Sequence, residues 1–585
     1  MLKSLMNNEM LPITLLGGIA LPPTDLTKLS FCGSAKPAKV QQWVEGLRAT
    51  QNLQTSATLY RSLPEIARLR TAPMQRLAVL EAVRPVTQRA IEALTQDFLN
   101  QPIILPKDAQ KTAIVAQALQ KSMVDGYTRC IREICTQKRL KASALEGLTL
   151  ALHRAISGIG LIFFRSYQLY TQVPTGLWHH LHALFQVAEY FDVLANPVND
   201  PHLIRMRASN IQCAYIRVLM LATARLNQLN RKDVARVYEI FETWSLSVRL
   251  LPNLTQDKDN FFIVNISADL APTYKSRFVG SEDDRVVELD FKSLVNQITK
   301  LMPGGEVDSP AETEGLSMPA GFPVTLLNHV IASWSSIAQR RQDRRTVKSS
   351  CEVCVGLVDC HYFISGAQSF DQFSQQGGAS SQFGGIANTL TVGLTPLSSK
   401  PNDKTEYDRP LYRTSIQNIS NGGYCLLWKG DVPNKLLAGE VLGIKELGRH
   451  TWTVGVVRWV RQLKDSSQLG IQTLASQPKP YGAAQIYGMG GYSDYMRALY
   501  IPSSKSADTP ATLLTPSVPF HEQDKVRLFD GEEATTIKLN KAVFSTSTIR
   551  QFSFHPLDTP SSPKPEIKKP SKQDVETENF EDDWE

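Results

Sequence analysis

The sequence predicts a multidomain protein of the α plus β class, with an N-terminal helical bundle followed by β-rich domains. Apolar residues recur at helical spacing through residues 35–250, as at Leu148, Leu152 and Ile156. From Thr346 onward, short apolar runs are separated by turns rich in glycine, which is typical of a small antiparallel β-barrel. A chain of 585 residues is long enough for three or four such domains.

Changes in composition predict where these domains begin and end. Residues 253–339 mix strand-like and helix-like stretches and finish in an amphipathic helix at Val324–Gln339. In Gly366–Gly385, 14 of 20 residues are Gly, Ser or Gln, so we expect a flexible insertion whose phenylalanines make no packing contacts. The C-terminal residues are too polar to form a core. The expected segments are a helical domain (1–252), a mixed α/β connector (253–339), a small β-barrel (340–475) with a flexible insertion (366–405), a β-rich extension (476–556) and a disordered acidic tail (557–585).

The charge distribution is compatible with a partner that carries phosphates but does not require one. The formal net charge is +7, but the last 28 residues hold nine acids and four lysines, a net of −5, so the remainder carries +12. Eight cysteines in a chain of this length do not suggest a secreted disulfide scaffold. The longest apolar stretch, Ile156–Phe164, is far shorter than the roughly 20 residues of a membrane span. We therefore expect a soluble cytoplasmic protein with no membrane span.

Four arginines that follow the predicted helix Val324–Gln339 form the first candidate binding element. They are Arg340, Arg341, Arg344 and Arg345, so the spacing RxxxR occurs twice, one residue apart. A guanidinium can bind a phosphate, or the O6 and N7 edge of guanine, through two hydrogen bonds at once. Alone, such a run is more typical of a solvated basic segment after a helix, so it indicates recognition of phosphates and guanine bases only in combination with a second element.

The second candidate element is Asn418-x-Ser420-x-x-Gly423, at a predicted strand–turn–strand junction. The Asn418 amide and the Ser420 hydroxyl can hydrogen-bond to a base or a phosphate. Gly423 permits a sharp turn or a close approach of the backbone. Together with the arginine run, these residues predict a pocket for a phosphate ligand that carries guanine.

The two elements, in this order, resemble the PilZ domain, the bacterial receptor module for cyclic di-GMP. That family combines RxxxR before its first barrel strand with (D/N)xSxxG at a later strand junction. Here residues 339–345 match the first pattern and residues 418–423 match the second. Residues 455–460 and 469–474 resemble the family's closing strands. The resemblance covers Arg341 to about Ala475 and implies a small PilZ-like antiparallel barrel.

The resemblance implies a cyclic-di-GMP-binding effector that acts by binding and is not an enzyme. Arg341 and Arg345 would be the principal ligand residues, although a register shift of one residue would use the other two arginines instead. The implied ligand-binding residues are Arg340, Arg341, Arg344, Arg345, Asn418, Ser420 and Gly423. A departure from the family pattern is the insertion, which puts 72 residues between Arg345 and Asn418. No cofactor or metal is expected.

The order of the segments suggests how a signal would leave the barrel. The helical region would bind a protein partner. Bound ligand would order the arginine run and redock the Val324–Gln339 helix against the barrel.

Two alternative interpretations stay open on the residues alone. The chain could be a nucleic-acid-binding or scaffold protein whose arginine run contacts phosphates, although we expect no nucleic acid. Cys351, Cys354, Cys360 and His361 could bind zinc, but residues three apart on a strand point to opposite faces. We therefore expect Cys351–Ile364 to be a strand with unliganded thiols.

Overall fold

The computed structural model describes most of the chain. The described residues are 11–47, 52–137, 139–252, 254–257, 261–281, 284–302, 316, 318–319, 321–335, 345–375, 409–420, 422–430, 432–464, 466–488, 491–503 and 510–557. Three predicted site residues, Arg340, Arg341 and Arg344, lie outside the described residues, as do residues 376–408 of the predicted insertion and the tail from residue 558.

The N-terminal part is a bundle of helices around a continuous apolar core. The helices in chain order are α1 (Leu11–Gly17), α2 (Pro37–Leu47), α3 (Asn52–Arg68), α4 (Pro73–Leu99), α5 (Lys107–Cys135), α6 (Ala142–Gln168), α7 (Leu177–Tyr190), α8 (Ile211–Thr223) and α9 (Arg231–Trp244). The core follows the periodicity of the sequence, since Leu148, Leu152 and Ile156 are all buried on α6.

The segment after the bundle extends the same apolar core. The short antiparallel ribbon of β1 (Val198–Asn199) and β2 (Ala208–Ser209) lies within the bundle, between α7 and α8, whereas a four-stranded sheet in the order β3-β6-β4-β5 follows α9. Its strands and the two helices after it are β3 (Arg249–Leu251), β4 (Phe262–Asn265), β5 (Thr273–Tyr274), β6 (Val286–Asp290), α10 (Lys292–Lys300) and α11 (Val324–Ser335). The Trp334 ring of α11 stacks on Phe291 at 4.5 Å, and its indole nitrogen donates to Thr223 Oγ1 at 3.0 Å. The expected redocking of this helix would have to break those contacts.

Six strands then close into an antiparallel barrel in the order β10-β11-β12-β9-β8-β7. Their bounds are β7 (Arg345–Val355), β8 (Tyr412–Ser420), β9 (Gly423–Lys429), β10 (Val441–Glu446), β11 (Thr453–Gln462) and β12 (Ser466–Ser476). The prediction of a strand over Cys351–Ile364 is wrong after Val355. Gly356 adopts φ +89°, which only glycine adopts readily, and the chain turns into α12 (Leu357–Ile364).

A second closed barrel follows, in the order β13-β14-β15-β18-β17-β16. Its strands are β13 (Lys479–Gln485), β14 (Met496–Ile501), β15 (Thr512–Pro516), β16 (Lys525–Phe529), β17 (Ala534–Ser545) and β18 (Ile549–Pro556). Its core includes the buried rings of Phe520 and Phe552. A helical region followed by β-barrels confirms the predicted fold class.

The start of the predicted insertion packs on this second barrel. The expectation of flexibility from Gly366 onward is wrong for the first ten residues, which contain α13 (Phe370–Gln375). Phe370 and Phe373 are buried, and the Phe373 ring meets Phe529 edge-on at 5.6 Å between centroids. Two aromatic anchors three residues apart share one helix face, and their burial outweighs the flexibility that the surrounding composition predicts.

The helical bundle and the first barrel are joined by two side chains of the bundle that pack into the barrel's own core. Ile103 and Tyr170 belong to the apolar cluster inside this barrel. The Tyr170 carbonyl accepts a hydrogen bond from Gln462 N at 2.8 Å, and its hydroxyl donates to the Leu229 carbonyl at 2.9 Å. Tyr170 has φ +56°, a strained value for a residue with a side chain, and these contacts hold it there.

The guanidinium of Arg231 holds both of these side chains in place. It lies buried at the start of α9 and donates to the carbonyl of Gln168 at 3.1 Å, next to Tyr170. It also donates to the carbonyls of Gln101 at 2.6 Å and Pro102 at 3.1 Å, in the loop that carries Ile103. One side chain therefore fixes the two segments that contact the barrel.

Helix α6 is long and apolar enough to cross a membrane, the only such helix within the described ranges. However, 78% of its most apolar window is buried inside the protein. Its apolar face packs in the core of the bundle, where Ile156 and Ile159 are fully buried.

We expect Arg231→Leu to lower the free energy of unfolding by about 3 kcal/mol, because several buried carbonyls lose their donor at once. Urea denaturation followed by circular dichroism measures the change. Arg236→Ala is the matched control, because this arginine lies on the same helix but is mostly exposed, and it should cost less than about 0.5 kcal/mol. Equal stability of the Arg231→Leu variant and the parent would contradict the role given to Arg231.

Candidate ligand-binding groove

The described members of the two predicted elements lie side by side at one end of the first barrel. Arg345 begins β7 and is paired with Ile419, and the next residue, Thr346, is paired with Asn418. Arg345 is exposed. Directly opposite residues in a ladder share a face of the sheet, so Thr346, rather than Arg345, shares the face of Asn418. The structure therefore brings Arg345 close to Asn418 in the ladder without placing both on one face.

Ser420 and Gly423 form the end of the β8–β9 hairpin. The two residues are paired, and Ser420 Oγ donates to the Gly423 carbonyl at 3.4 Å. A Cβ on Gly423 would lie 1.9 Å from the backbone oxygen of Ile471 on β12, so only glycine fits. The group that approaches Gly423 closely is therefore the backbone of the neighbouring strand β12, and not a ligand. Ser420 lies two residues from Asn418 and shares its face.

Asn418 lines a groove of about 480 Å³ between the first barrel and the helical bundle. This volume lies within the range of small-molecule sites, roughly 300–1,000 Å³. The barrel wall of the groove crosses the adjacent strands β8, β9, β12 and β11. Its lining residues on this side are Asn418, Cys425, Trp459, Val460, Arg461 and Gln468.

A row of outward-facing positions crosses these four strands. Asn418 is paired with Cys425, Cys425 with Gly470, and Gly470 with Trp459. A Cβ on Gly470 would lie 1.9 Å from Trp459 Nε1, so the indole of Trp459 covers the backbone of β12 at this point. The glycine thus lets one aromatic ring extend across a strand towards Cys425 and Asn418.

The groove combines an aromatic surface with polar groups of different kinds. Arg461 is exposed and is paired with Gln468 on the neighbouring strand. Burial raises the pKa of Tyr167 and of Tyr170, which keeps both phenols neutral, and the Tyr170 hydroxyl already donates to the Leu229 carbonyl. Indole and phenol rings can stack on a base, a guanidinium can bind a phosphate, and amides can hydrogen-bond to a base edge.

Sequence reasoning missed Trp459, Arg461 and Gln468 as site residues. Trp459 and Arg461 are two apart on β11, and Gln468 faces them from β12, so their common face depends on strand register. A usable signal was the glycine at position 470 inside a closing strand, because such a glycine often marks a place where another group approaches the backbone closely.

No group of three or more His, Cys, Asp or Glu side chains is placed to hold a metal ion within the described part of the chain. The Cys354 and Cys360 sulfurs lie 3.9 Å apart and are both buried. Cys360 lies on α12 rather than on the expected strand, and burial raises the pKa of its thiol well above the ordinary value.

We expect Gly470→Ala to displace the Trp459 indole, because the new methyl group would occupy its position. Tryptophan emission should then shift, and the free energy of unfolding should fall by about 1–3 kcal/mol. The matched control adds Gly470→Ala to a Trp459→Phe background, where the emission shift should disappear. An emission spectrum of Gly470→Ala identical to that of the parent would show that the ring does not lie over this strand.

Three family models match the chain in succession. "Cyclic-di-GMP receptor FimW, N-terminal domain" matches residues 38–254. "Cyclic-di-GMP receptor FimW, middle PilZ domain" matches residues 261–389 and 387–480, and "FimW C-terminal beta-barrel domain" matches residues 481–557. The prediction of a PilZ domain is thereby confirmed.

A relative with an assigned function also matches the chain along almost its whole length. The cyclic-di-GMP receptor FimW of Pseudomonas aeruginosa PAO1 is 30% identical over 611 residues, which cover 97% of this chain and 98% of the relative. No solved structure matches the chain. The match to all three models and to the full-length relative shows that the chain belongs to the family of the cyclic-di-GMP receptor FimW.

Proposed function

We propose that this protein binds cyclic di-GMP in the groove between the first barrel and the helical bundle. The observation that carries the proposal is the row from Asn418 to Trp459, which puts a predicted ligand residue and an aromatic surface on one wall. Membership in the family of a cyclic-di-GMP receptor supports the choice of ligand. The mechanism is binding without catalysis.

One guanine and one phosphate of the dinucleotide have chemical counterparts on the barrel side. The indole of Trp459 offers a surface on which guanine can stack. The Asn418 amide can hydrogen-bond to the edge of that base, and Arg461 can bind a phosphate oxygen. All three side chains line the same groove.

The arginine run is the second proposed ligand-binding element. Arg345 begins β7, one residue before the pair formed by Thr346 and Asn418, so it lies next to Asn418 along the ladder. Arg341 and Arg345 are the proposed principal ligand residues, with Arg340 and Arg344 as the alternative register. Ser420 and Gly423 hold the hairpin that carries Asn418.

The proposed cellular setting follows from the ligand. Cyclic di-GMP is a soluble second messenger, so we assign the protein to the cytoplasm. A protein partner of the helical region stays a prediction.

We expect calorimetry to detect cyclic di-GMP binding with a clear preference over cyclic di-AMP and GTP. Arg341→Ala or Arg345→Ala should weaken binding about 30-fold, because a charge-assisted contact contributes roughly 2–3 kcal/mol. Trp459→Ala should weaken it about tenfold or more, because stacking on one base contributes roughly 1–3 kcal/mol.

Arg413→Ala is the matched control, since it removes the same charge from an exposed position of β8 outside the groove and should leave affinity unchanged. A different result would contradict the proposal: no preference for cyclic di-GMP, together with nucleic-acid binding that is lost as the salt concentration rises. The protein would then be a nucleic-acid-binding protein.

A further inference from the structure

The groove that contains Asn418 has a second wall, which belongs to the helical bundle. This wall lies where α6 ends and where a short 3-10 turn, Leu226–Gln228, precedes α9. The lining residues on this side are Tyr167, Tyr170, Thr171, Gln172 and Asn227. None of these residues belongs to the two elements from which the ligand site was predicted.

Two carboxamides on this wall are available to a ligand. Gln172 and Asn227 are exposed, and neither side-chain amide has a hydrogen-bond partner among the described residues. By contrast, the neighbouring Tyr170 hydroxyl is occupied by the Leu229 carbonyl at 2.9 Å. The wall therefore presents two amides whose donors and acceptors are unused within the described protein.

The backbone that carries these amides is held firmly. Gln172 is two residues from Tyr170, which packs into the barrel core, and Asn227 is two residues from Leu229, which accepts the Tyr170 hydrogen bond. The same hydrogen bond therefore connects the two segments to each other. A backbone that is already fixed loses less conformational entropy when the side chains it carries bind a ligand.

We propose that Gln172 and Asn227 bind one guanine of the cyclic dinucleotide, so that the ligand contacts the helical bundle and the barrel simultaneously. This inference rests on the proposed function. A carboxamide both donates and accepts, and a guanine edge offers donors at N1 and N2 and acceptors at O6 and N7. Trp459 and Arg461 contact the same ligand from the opposite wall.

A ligand held by both walls stabilises the contact between the two domains. A ligand that binds only when the bundle and the first barrel are in contact stabilises that contact by its own binding free energy. Gln172 and Asn227 are then the residues through which the helical bundle detects ligand bound to the barrel. This role requires no movement of α11, whose Trp334 stays in the helical core.

The test is calorimetry with cyclic di-GMP on the full-length Gln172→Ala/Asn227→Ala variant. We expect the dissociation constant to rise at least tenfold, with thermal unfolding of the unliganded protein unchanged, because both side chains are exposed. The matched control is Gln41→Ala/Gln54→Ala, which removes two exposed amides of the bundle far from the groove lining and should bind like the parent.

The outcomes separate this inference from the proposed function. If the parent binds cyclic di-GMP and the Gln172→Ala/Asn227→Ala variant binds it equally well, the second wall is not part of the site and only this inference is overturned. If the parent does not bind cyclic di-GMP, the proposed function fails and this inference fails with it. If cyclic di-GMP raises the melting temperature of the parent more than that of the double variant, this supports the second wall as part of the site independently of calorimetry.

Discussion

The geometry of the candidate groove depends on one buried guanidinium, that of Arg231. This side chain ties the loop before Ile103 to the end of α6 before Tyr170, and both of those residues pack inside the first barrel. Because these carbonyls are buried or half-buried, loss of the guanidinium would leave them without their donor. The position of the helical wall relative to the barrel wall follows from this contact.

The barrel wall depends on a second constraint, the absence of a side chain at Gly470. A strand normally presents a side chain on its outer face at every second residue. At Gly470 the position is filled by the Trp459 indole from the next strand. One flat ring thus replaces two side chains, and the aromatic surface reaches across β12 towards Asn418.

Local patterns were sufficient to predict the fold class and the PilZ-like barrel. They also singled out Asn418, which lines the candidate groove and whose role in ligand binding stays a prediction. They could not predict contacts between distant parts of the chain, such as those of Arg231 with the carbonyls of residues about 130 positions earlier. They also missed α12 and α13, because a single positive φ at Gly356 ends the strand and the burial of Phe370 and Phe373 offsets a flexible composition. Trp459 and Arg461 were missed because strand register, rather than sequence, brings them to Asn418.

The central claim is that ligand occupies a groove shared by the barrel and the helical bundle. Hydrogen exchange measured with and without cyclic di-GMP tests this most directly, because it reports each wall separately. The account predicts slower exchange both in the β8–β9 hairpin and in the helical segments at 167–172 and 226–229. Slowing confined to the hairpin, with the helical segments unchanged, would contradict a shared site.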